Sequence, residues 1–351
     1  MPLAPCGSPN PSTELQDHRM WFEKLFGFEE QSPDQVRAQI EVSGSELCSK
    51  ANGRRFQHGK FETPSLRMLR RSANSTTKLG RTGHIRLSQV VADVQDLHRN
   101  PANENALFQV ASQFNVLEMA SPAASPEWGI DIYDTDFTQG PACAIACGAG
   151  TLFRNYFAVH GNQVGQSEDH QIDCLADLGQ ELGNSKGSLW AMRNGYALAT
   201  AEGLELIRHR LSDAGESERQ MLRDLLRIGC HWNTDVTLVS EPHQVSQAFC
   251  SALPVRYGAH RPADWGPFGR LILEAAYEAT FYAAILNRAT TGSNQVYLTL
   301  LGGGAYGNPE EWILSAMERA FKLFRDSAFD VRIVSFGERN PAVDALIERS
   351  P

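Results

Sequence analysis

The chain lacks most of the features that mark out whole classes of protein. It has no surplus of basic residues: 32 Lys and Arg stand against 41 Asp and Glu, for a formal net charge of −9. Proteins that neutralise many phosphates need the opposite balance, so nucleic acid is not expected as a partner. Its 7 cysteines are odd in number, scattered and without a C-x-x-C pair. That argues against a disulfide framework and for reduced thiols in a cytoplasmic setting. The opening MPLAPCGSPNPS has no basic start followed by an apolar run, so it reads as a flexible arm over 1–12 rather than a signal peptide. No apolar run is long and uncharged. The best candidate, Phe268 to Leu286, is interrupted by Arg270, Glu274 and Glu278, which makes it a core helix and not a membrane span. No internal repeat is visible.

What is present is ordinary globular material, 42% hydrophobic and 21% charged over 351 residues, enough to bury a large core without staples. Thr13 and Gln16 give a capping signal before LQDHRMWFEKLF, and Ser32-Pro33-Asp34 opens a second short helix. Residues 40–63 read as short strands turning at Ser43-Gly44 and Asn52-Gly53. The polar stretch 71–84 reads as a connector closing an extension over 13–80. Beyond it, IRLSQVV, ALFQVAS, CHWNTDVTLVS, CSALPVRYG, QVYLTLL and DVRIVSF read as strands. Residues 166–182, 201–228, 268–288 and 310–325 read as helices, and 121–141 as a long loop. The alternation predicts an α/β fold: a mixed sheet in three layers with helices on both faces, over 81–351, with an N-terminal α+β extension and a large insertion at about 121–265.

The sharpest local signal is LTLLGGGAYGNPEEWI. An apolar strand runs into Gly302-Gly303-Gly304-Ala305-Tyr306-Gly307-Asn308-Pro309, and a helix opening on two acids follows. Such a loop lets main-chain N–H groups approach a phosphate, and the helix N-terminus adds favourable partial charge. No Gly-Lys-Ser/Thr follows, and the glycine spacing differs from the dinucleotide fingerprint. The alternative is a tight strand-to-helix turn.

Three segments taken in order resemble the macro domain family, which binds ADP-ribose. Ala92-Asp93-Val94 resembles its Gly-Asp-Ile/Val turn, Gln113-Phe114-Asn115 its Ala-Asn strand end, and Gly303 to Pro309 its pyrophosphate loop. Ala92, Phe114 and Gly303 depart from the family's usual Gly, Ala and Thr. The resemblance implies a three-layer macro-like fold, Asp93 and Val94 at the adenine with Phe336 beside it, Asn115 at the distal ribose, and Gly302 to Asn308 over the pyrophosphate. It covers 85–120 and 268–337. In position only, 115–157 is similar to the catalytic segment of poly-ADP-ribose glycohydrolases, although the Gly-Gly-Gly and Gln-Glu-Glu signature is missing. There the candidates are Glu118, Asp131, Asp134 and Asp136, with Gln139 beside them and Gly148, Gly150 and Thr151 as a second phosphate-holding cluster.

Carboxylates suit such a site. Cleaving the bond at C1 of the distal ribose builds oxocarbenium-like charge, which one carboxylate stabilises while another moves a proton. The competing reading of Asp131, Asp134 and Asp136 is turn chemistry on a solvated loop. His231 with Asp235 reads as structural. Asp169, His170 and Asp173 form no recognised metal pattern, Cys143 and Cys147 read as buried small residues, and Tyr277, Phe281 and Tyr282 as a core stripe. The function expected is binding of ADP-ribose and hydrolysis of ADP-ribosyl groups, ADP-ribosyl-arginine among them, from a modified protein. No metal or cofactor, no membrane and no nucleic acid are expected, and the chain is expected to be a monomer. A non-catalytic ADP-ribose reader, a hydrolase of a free ADP-ribose derivative and a plain interaction scaffold are the alternatives.

Overall fold

The structure is a computed structural model and describes residues 20–76 and 83–350. The arm over 1–12, the Thr13/Gln16 capping signal and residues 77–82 of the connector lie outside the described residues. The described chain opens with α1 (Trp21–Phe26) and α2 (Pro33–Gln39). Ser32 caps α2 by accepting from the N–H of Gln35, and Pro33 sits in the first turn, where its missing N–H costs nothing. A small antiparallel sheet follows, β1 (Ile40–Ser43), β2 (Glu46–Ser49) and β3 (Arg55–Gln57). Its turns fall at Gly44 and Gly53, as the sequence indicates. β4 (Lys60–Glu62) leads into α3 (Leu66–Ser75). This helix corrects the expected connector over 71–75: Ser65 caps it, and Leu66, Leu69 and Ala73 form one buried stripe.

Next come β5 (Arg86–Val91), α4 (Val94–Arg99), β6 (Leu107–Ala111), α5 (Gln139–Ala146) and α6 (Gly148–Tyr156). Two hairpins, β7 (Val159–His160) with β8 (Gln163–Val164) and β9 (Trp190–Arg193) with β10 (Tyr196–Ala199), flank α7 (Ala176–Leu182). Only the last turns of the helix expected over 166–182 therefore form. α8 (Ala201–Asp213) and α9 (Glu216–Arg223) divide 201–228 at Ala214-Gly215. β11 (Gly229–Asp235) and β12 (Gln244–Cys250) follow, then α10 (Pro262–Thr291), β13 (Gln295–Leu298), α11 (Glu310–Leu323), β14 (Asp330–Ser335) and α12 (Pro341–Arg349). The strand expected at CSALPVRYG lies one segment earlier, ending at Cys250; Pro254 has no N–H to give a ladder.

Seven strands make one mixed sheet in the order β4-β11-β12-β6-β13-β14-β5. β12, β6, β13, β14 and β5 run parallel, and at one edge β11 pairs antiparallel with both β12 and the outermost strand β4. β6 is buried almost throughout, as a strand covered on both faces must be. On one face His98 of α4 stacks on Phe108, with ring centroids 3.9 Å apart, and Phe108 stacks on Tyr297 at 4.5 Å. On the other, Gln109 donates to Thr280 of α10 at 2.9 Å. The α/β architecture with helices on both faces is thus as expected. Two boundaries differ in kind. β11 and β12, from within 121–265, and β4, from within 13–80, are strands of the main sheet, so both segments build the core.

The parallel strands place their carboxyl ends on one edge. Ala92-Asp93, Ser112-Gln113, Thr299-Leu300 and Ser335-Phe336 all emerge there, where sheets of this kind bind ligands.

Candidate functional site

At that edge lies a chamber of about 1030 Å³ joined to a smaller cavity of about 210 Å³. Asp136, Thr138, Gln139, Thr299, Leu300 and Gly304 wall both. The larger chamber is bounded by Asp93 and Val94 after β5, Asp134 and Phe137 from the long loop, and Phe336 and Arg339 after β14. Trp21 of α1 adds a wall from the N-terminal segment. Phe137 and Phe336 are 92% and 80% exposed, an unusual state for phenylalanine, and both face this chamber. Arg339 is the one cation among the described lining residues, and it is paired with Asp344.

The glycine loop is built to keep amides free. Asn308 is buried, and its Nδ2 donates to the carbonyls of Leu253 (2.8 Å) and Gly302 (3.3 Å), while its own N–H closes on Gly302 at 2.9 Å. Gly302 has φ +74°, and a Cβ there would lie 2.4 Å from the Cβ of Ala252, so only glycine fits. The N–H groups of Gly302, Gly304, Ala305 and Tyr306 find no acceptor among the described residues, whereas Gly303 and Gly307 close turns within the loop. Gly304 and Ala305 are exposed at the cavities. This is a nest of donors suited to an anion.

Glu118 stands at the inner wall of the smaller cavity. It is 2% exposed, and its Oε2 lies 3.5 Å from Nη2 of Arg154. Oε1 is buried without a hydrogen-bond partner. Burial pushes its pKa up to about 7 against the pull of Arg154 and Ser112, with Asp136 adding to the rise. The Arg154 guanidinium is fully buried and held on every side. It donates to the Val116 carbonyl (3.1 Å), Thr151 Oγ1 (3.1 Å) and His231 Nδ1 (3.4 Å), and lies 3.8 Å over the Phe249 ring. Gly140 lets α5 pack against the end of β6: a Cβ at 140 would lie 2.0 Å from the Ala111 carbonyl oxygen, and 3.2 Å from Glu118 Cγ.

Other expected residues fall in different places. Asp136 is half-buried and touches both cavities, with Oδ1 accepting from the Thr138 N–H at 2.9 Å. Asp134 lines the larger chamber; burial raises its pKa, and its Oδ1 is buried without a partner. Asp93 caps α4 by accepting from Gln95 at 2.7 Å while facing the chamber. Gln139 lines both cavities, but its amide is engaged by the main chain of β6, accepting from Ala111 and donating to Gln109. Asp131 lies off the cavities and accepts from the Phe22 N–H at 3.2 Å, an anchor for α1.

Two expectations are corrected by packing. Asn115 is fully buried and lines neither cavity; its Nδ2 donates to Gln171 and its Oδ1 accepts from Leu117. Gln113 stands at the cavity in its stead, with Oε1 accepting from Met119 at 2.7 Å. Gly148, Gly150 and Thr151 form no phosphate loop. They lie inside α6, where a Cβ at Gly148 would meet Leu25 at 2.6 Å and one at Gly150 would meet Thr234 at 2.8 Å. Their smallness serves helix packing, and the Thr151 hydroxyl donates to Ala144.

His231 and Asp235 form no catalytic pair: burial holds the imidazole neutral, and Asp235 accepts from the Gln57 N–H. Burial also pushes the Cys143 and Cys147 thiols up, away from nucleophilic character. The sequence reading missed Arg154, Tyr196, Tyr257, Phe137 and Trp21. Only Phe137 left a local trace, a lone large apolar residue in a polar loop.

A buried carboxyl group and a glycine loop with unpaired amides thus line one cavity at the carboxyl edge of a mixed α/β sheet, which places the chain among α/β proteins of this architecture. No protein-family model matches the chain, and a comparison with curated proteins finds no match. Among solved structures it is similar to a poly(ADP-ribose) glycohydrolase from Thermomonospora curvata, at 11% identity and TM-score 0.47, covering 90% of this chain and 95% of that one. It is also similar to a poly(ADP-ribose) glycohydrolase from Deinococcus radiodurans in complex with ADP-ribose, at 12% identity and TM-score 0.44, covering 82% and 90%.

Proposed function

We propose that the protein binds ADP-ribose across the joined cavities and hydrolyses ADP-ribosyl groups from modified protein, with Glu118 as the proton-transferring carboxylate. The observation that carries this reading is the placement of Glu118. It is a buried carboxylate with one oxygen free, poised near neutrality, on the wall opposite a loop of unpaired amides. In the larger chamber Asp93 receives the adenine, and the exposed ring of Phe336 packs beside it. The amides of Gly302, Gly304, Ala305 and Tyr306, which line the smaller cavity, take the pyrophosphate, with Gly304 at the passage from the larger chamber, so that main-chain donors and not basic side chains meet the anion.

The distal ribose then lies within the smaller cavity, beside Glu118 and Asp136. There Glu118 accepts a proton from the attacking water, and Asp136 faces the positive charge that develops at C1. Arg154 holds Glu118 from behind and keeps its carboxylate form accessible at neutral pH. Arginine is among the side chains from which the ADP-ribosyl group is removed.

Release of ADP-ribose from an ADP-ribosylated protein tests the reading. The protein releases ADP-ribose, and Glu118→Gln lowers the rate by about 10²–10⁴ while still binding ADP-ribose. A Glu118→Gln variant that releases at the unaltered rate removes Glu118 from the mechanism. Binding of ADP-ribose with no release from any modified protein leaves a reader and not a hydrolase.

A further inference from the structure

A guanidinium beside a carboxylate frequently closes on both oxygens, because two neighbouring N–H groups match the two acceptors of the acid. Arg154 does not close on Glu118 in this way. Its Nη2 lies 3.5 Å from Glu118 Oε2, and Oε1 is left without a partner. The reason lies with the other two nitrogens. A two-point grip that uses Nη2 needs either Nε or Nη1 as its second donor. Nε donates to the Val116 carbonyl at 3.1 Å, and Nη1 donates to Nδ1 of His231 at 3.4 Å. Nη2 itself is shared with Thr151 Oγ1 at 3.1 Å.

Packing holds His231 in this place. It lies on β11, and α6 passes it at Gly150: a Cβ at 150 would lie 3.0 Å from Cε1 and 3.2 Å from Nδ1 of the imidazole. Arg154 follows about one turn further along the same helix, so the bare surface at Gly150 brings the ring alongside the guanidinium. The rings of His58, Phe61 and Phe153 surround the imidazole, with centroids 6.5, 5.4 and 6.2 Å from its own. Nε2 meets no acceptor among the described residues, so the side chain's hydrogen bonding is spent on Arg154. An arginine only donates. Nδ1 must therefore accept, which requires a neutral ring with its proton on Nε2. Burial, reinforced by the charge of Arg154 and by His58, holds the ring in that neutral form.

We propose that His231 is a positioning residue for Glu118: by taking Nη1 it stops Arg154 from closing a two-point grip on the carboxylate, and so keeps Oε1 free for the attacking water. The proposal rests on the reading of Glu118 as the proton acceptor. A closed grip would harm that role twice. It would occupy Oε1, and it would hold the carboxylate so firmly in its ionised form that it became a poor base. With Arg154 engaged through one nitrogen, Glu118 stands instead at about 7. The other ionisable neighbours do not set this balance. Burial keeps Tyr133, Cys143 and Cys147 neutral, and Asp136 acts on Glu118 in the opposite sense to Arg154.

Nitrogen NMR of the native protein tests the arrangement without any variant, and so decides even where a substitution prevents folding. His231 is expected to stay neutral with its proton on Nε2 between about pH 5 and 8. A proton on Nδ1, or an imidazolium, overturns the proposal. Carbon NMR of the Glu118 carboxyl reads the grip independently of any release of ADP-ribose. In His231→Phe, Nη1 turns to Oε1 and the midpoint falls by at least about one pH unit. In His231→Asn, whose Oδ1 stands where Nδ1 stands, it stays near the native value. The pH profile of release moves with the midpoint, and its plateau falls about tenfold in His231→Phe. A midpoint that is unmoved or raised in His231→Phe, with stability alone reduced, is the mark of a merely structural histidine and overturns the proposal. An Asn variant that behaves as the Phe variant does so equally. If the native protein releases no ADP-ribose while the midpoint moves as expected, the hydrolase reading fails and the arrangement of the pair stands.

Discussion

On the proposed reading one side chain, Glu118, moves the proton. Burial is the largest influence on it and favours the protonated form. Arg154 and Ser112 oppose that, Asp136 reinforces it, and the balance brings the group to about 7. The Tyr133 hydroxyl, which accepts from the Glu118 N–H, stays neutral because its own burial drives its pKa upward. A base acts only when ionised. The rate of release at limiting substrate is therefore expected to fall about tenfold per pH unit below 7 and to level off above it. A profile that instead falls as pH rises through 7 makes Glu118 the acid and not the base. Sequence reading reached Glu118 because it lies three residues past the Gln113-Phe114-Asn115 strand end. It could not reach Arg154, 36 positions further on, because their pairing depends on α6 crossing beneath the sheet. The same reading chose Asn115 over Gln113. Which of the two faces the cavity depends on how the chain turns after Ala111, and Val116, with φ +59°, turns it in a way that a β-branched residue rarely adopts.

At the level of elements, the glycine loop between β13 and α11 is legible and the second glycine cluster is misleading, for a physical reason. Both are small-residue runs, and smallness serves either ligand approach or close packing. Gly302 needs its left-handed backbone and its space, while Gly148 and Gly150 need only space, inside a helix. Substitution separates these demands within the loop itself. Gly302→Ala is expected to cost about 1–2 kcal/mol for the left-handed backbone alone. The contact with Ala252 adds to that, with a lower melting temperature and at least tenfold weaker ADP-ribose binding. Gly304→Ala, with nothing within 4 Å of the added Cβ, is expected to keep the melting temperature. Equal stability losses at the two positions would contradict this account of the loop. The strands of the sheet were legible for the same kind of reason: β5, β6, β13 and β14 are short apolar runs bounded by turns. α3 was hidden by its polar exposed side, and β12 by the apolar segment that continues past its end at Cys250.

The molecule as a whole joins segments that the sequence reads as separate. Glu30, between α1 and α2, accepts from the N–H groups of Ile130 (2.8 Å) and Asp131 (2.7 Å) and from the Tyr156 hydroxyl. The Trp21 indole donates to the Asp131 carbonyl at 3.2 Å and walls the larger chamber. The N-terminal segment thus fixes the loop that carries Asp134, Asp136 and Phe137, and β4 ties the same segment into the main sheet. Among the described residues no helix is long and apolar enough to cross a membrane. The acidity of the chain, at −9, is reconciled with an anionic ligand by main-chain amides in place of lysine and arginine. Calorimetric titration of the protein with ADP-ribose tests this most directly. The expected result is saturable binding of one ADP-ribose per chain, weakened about tenfold by Phe336→Ala through loss of the ring beside the base. No heat of binding at concentrations approaching about 1 mM would contradict the account at its centre.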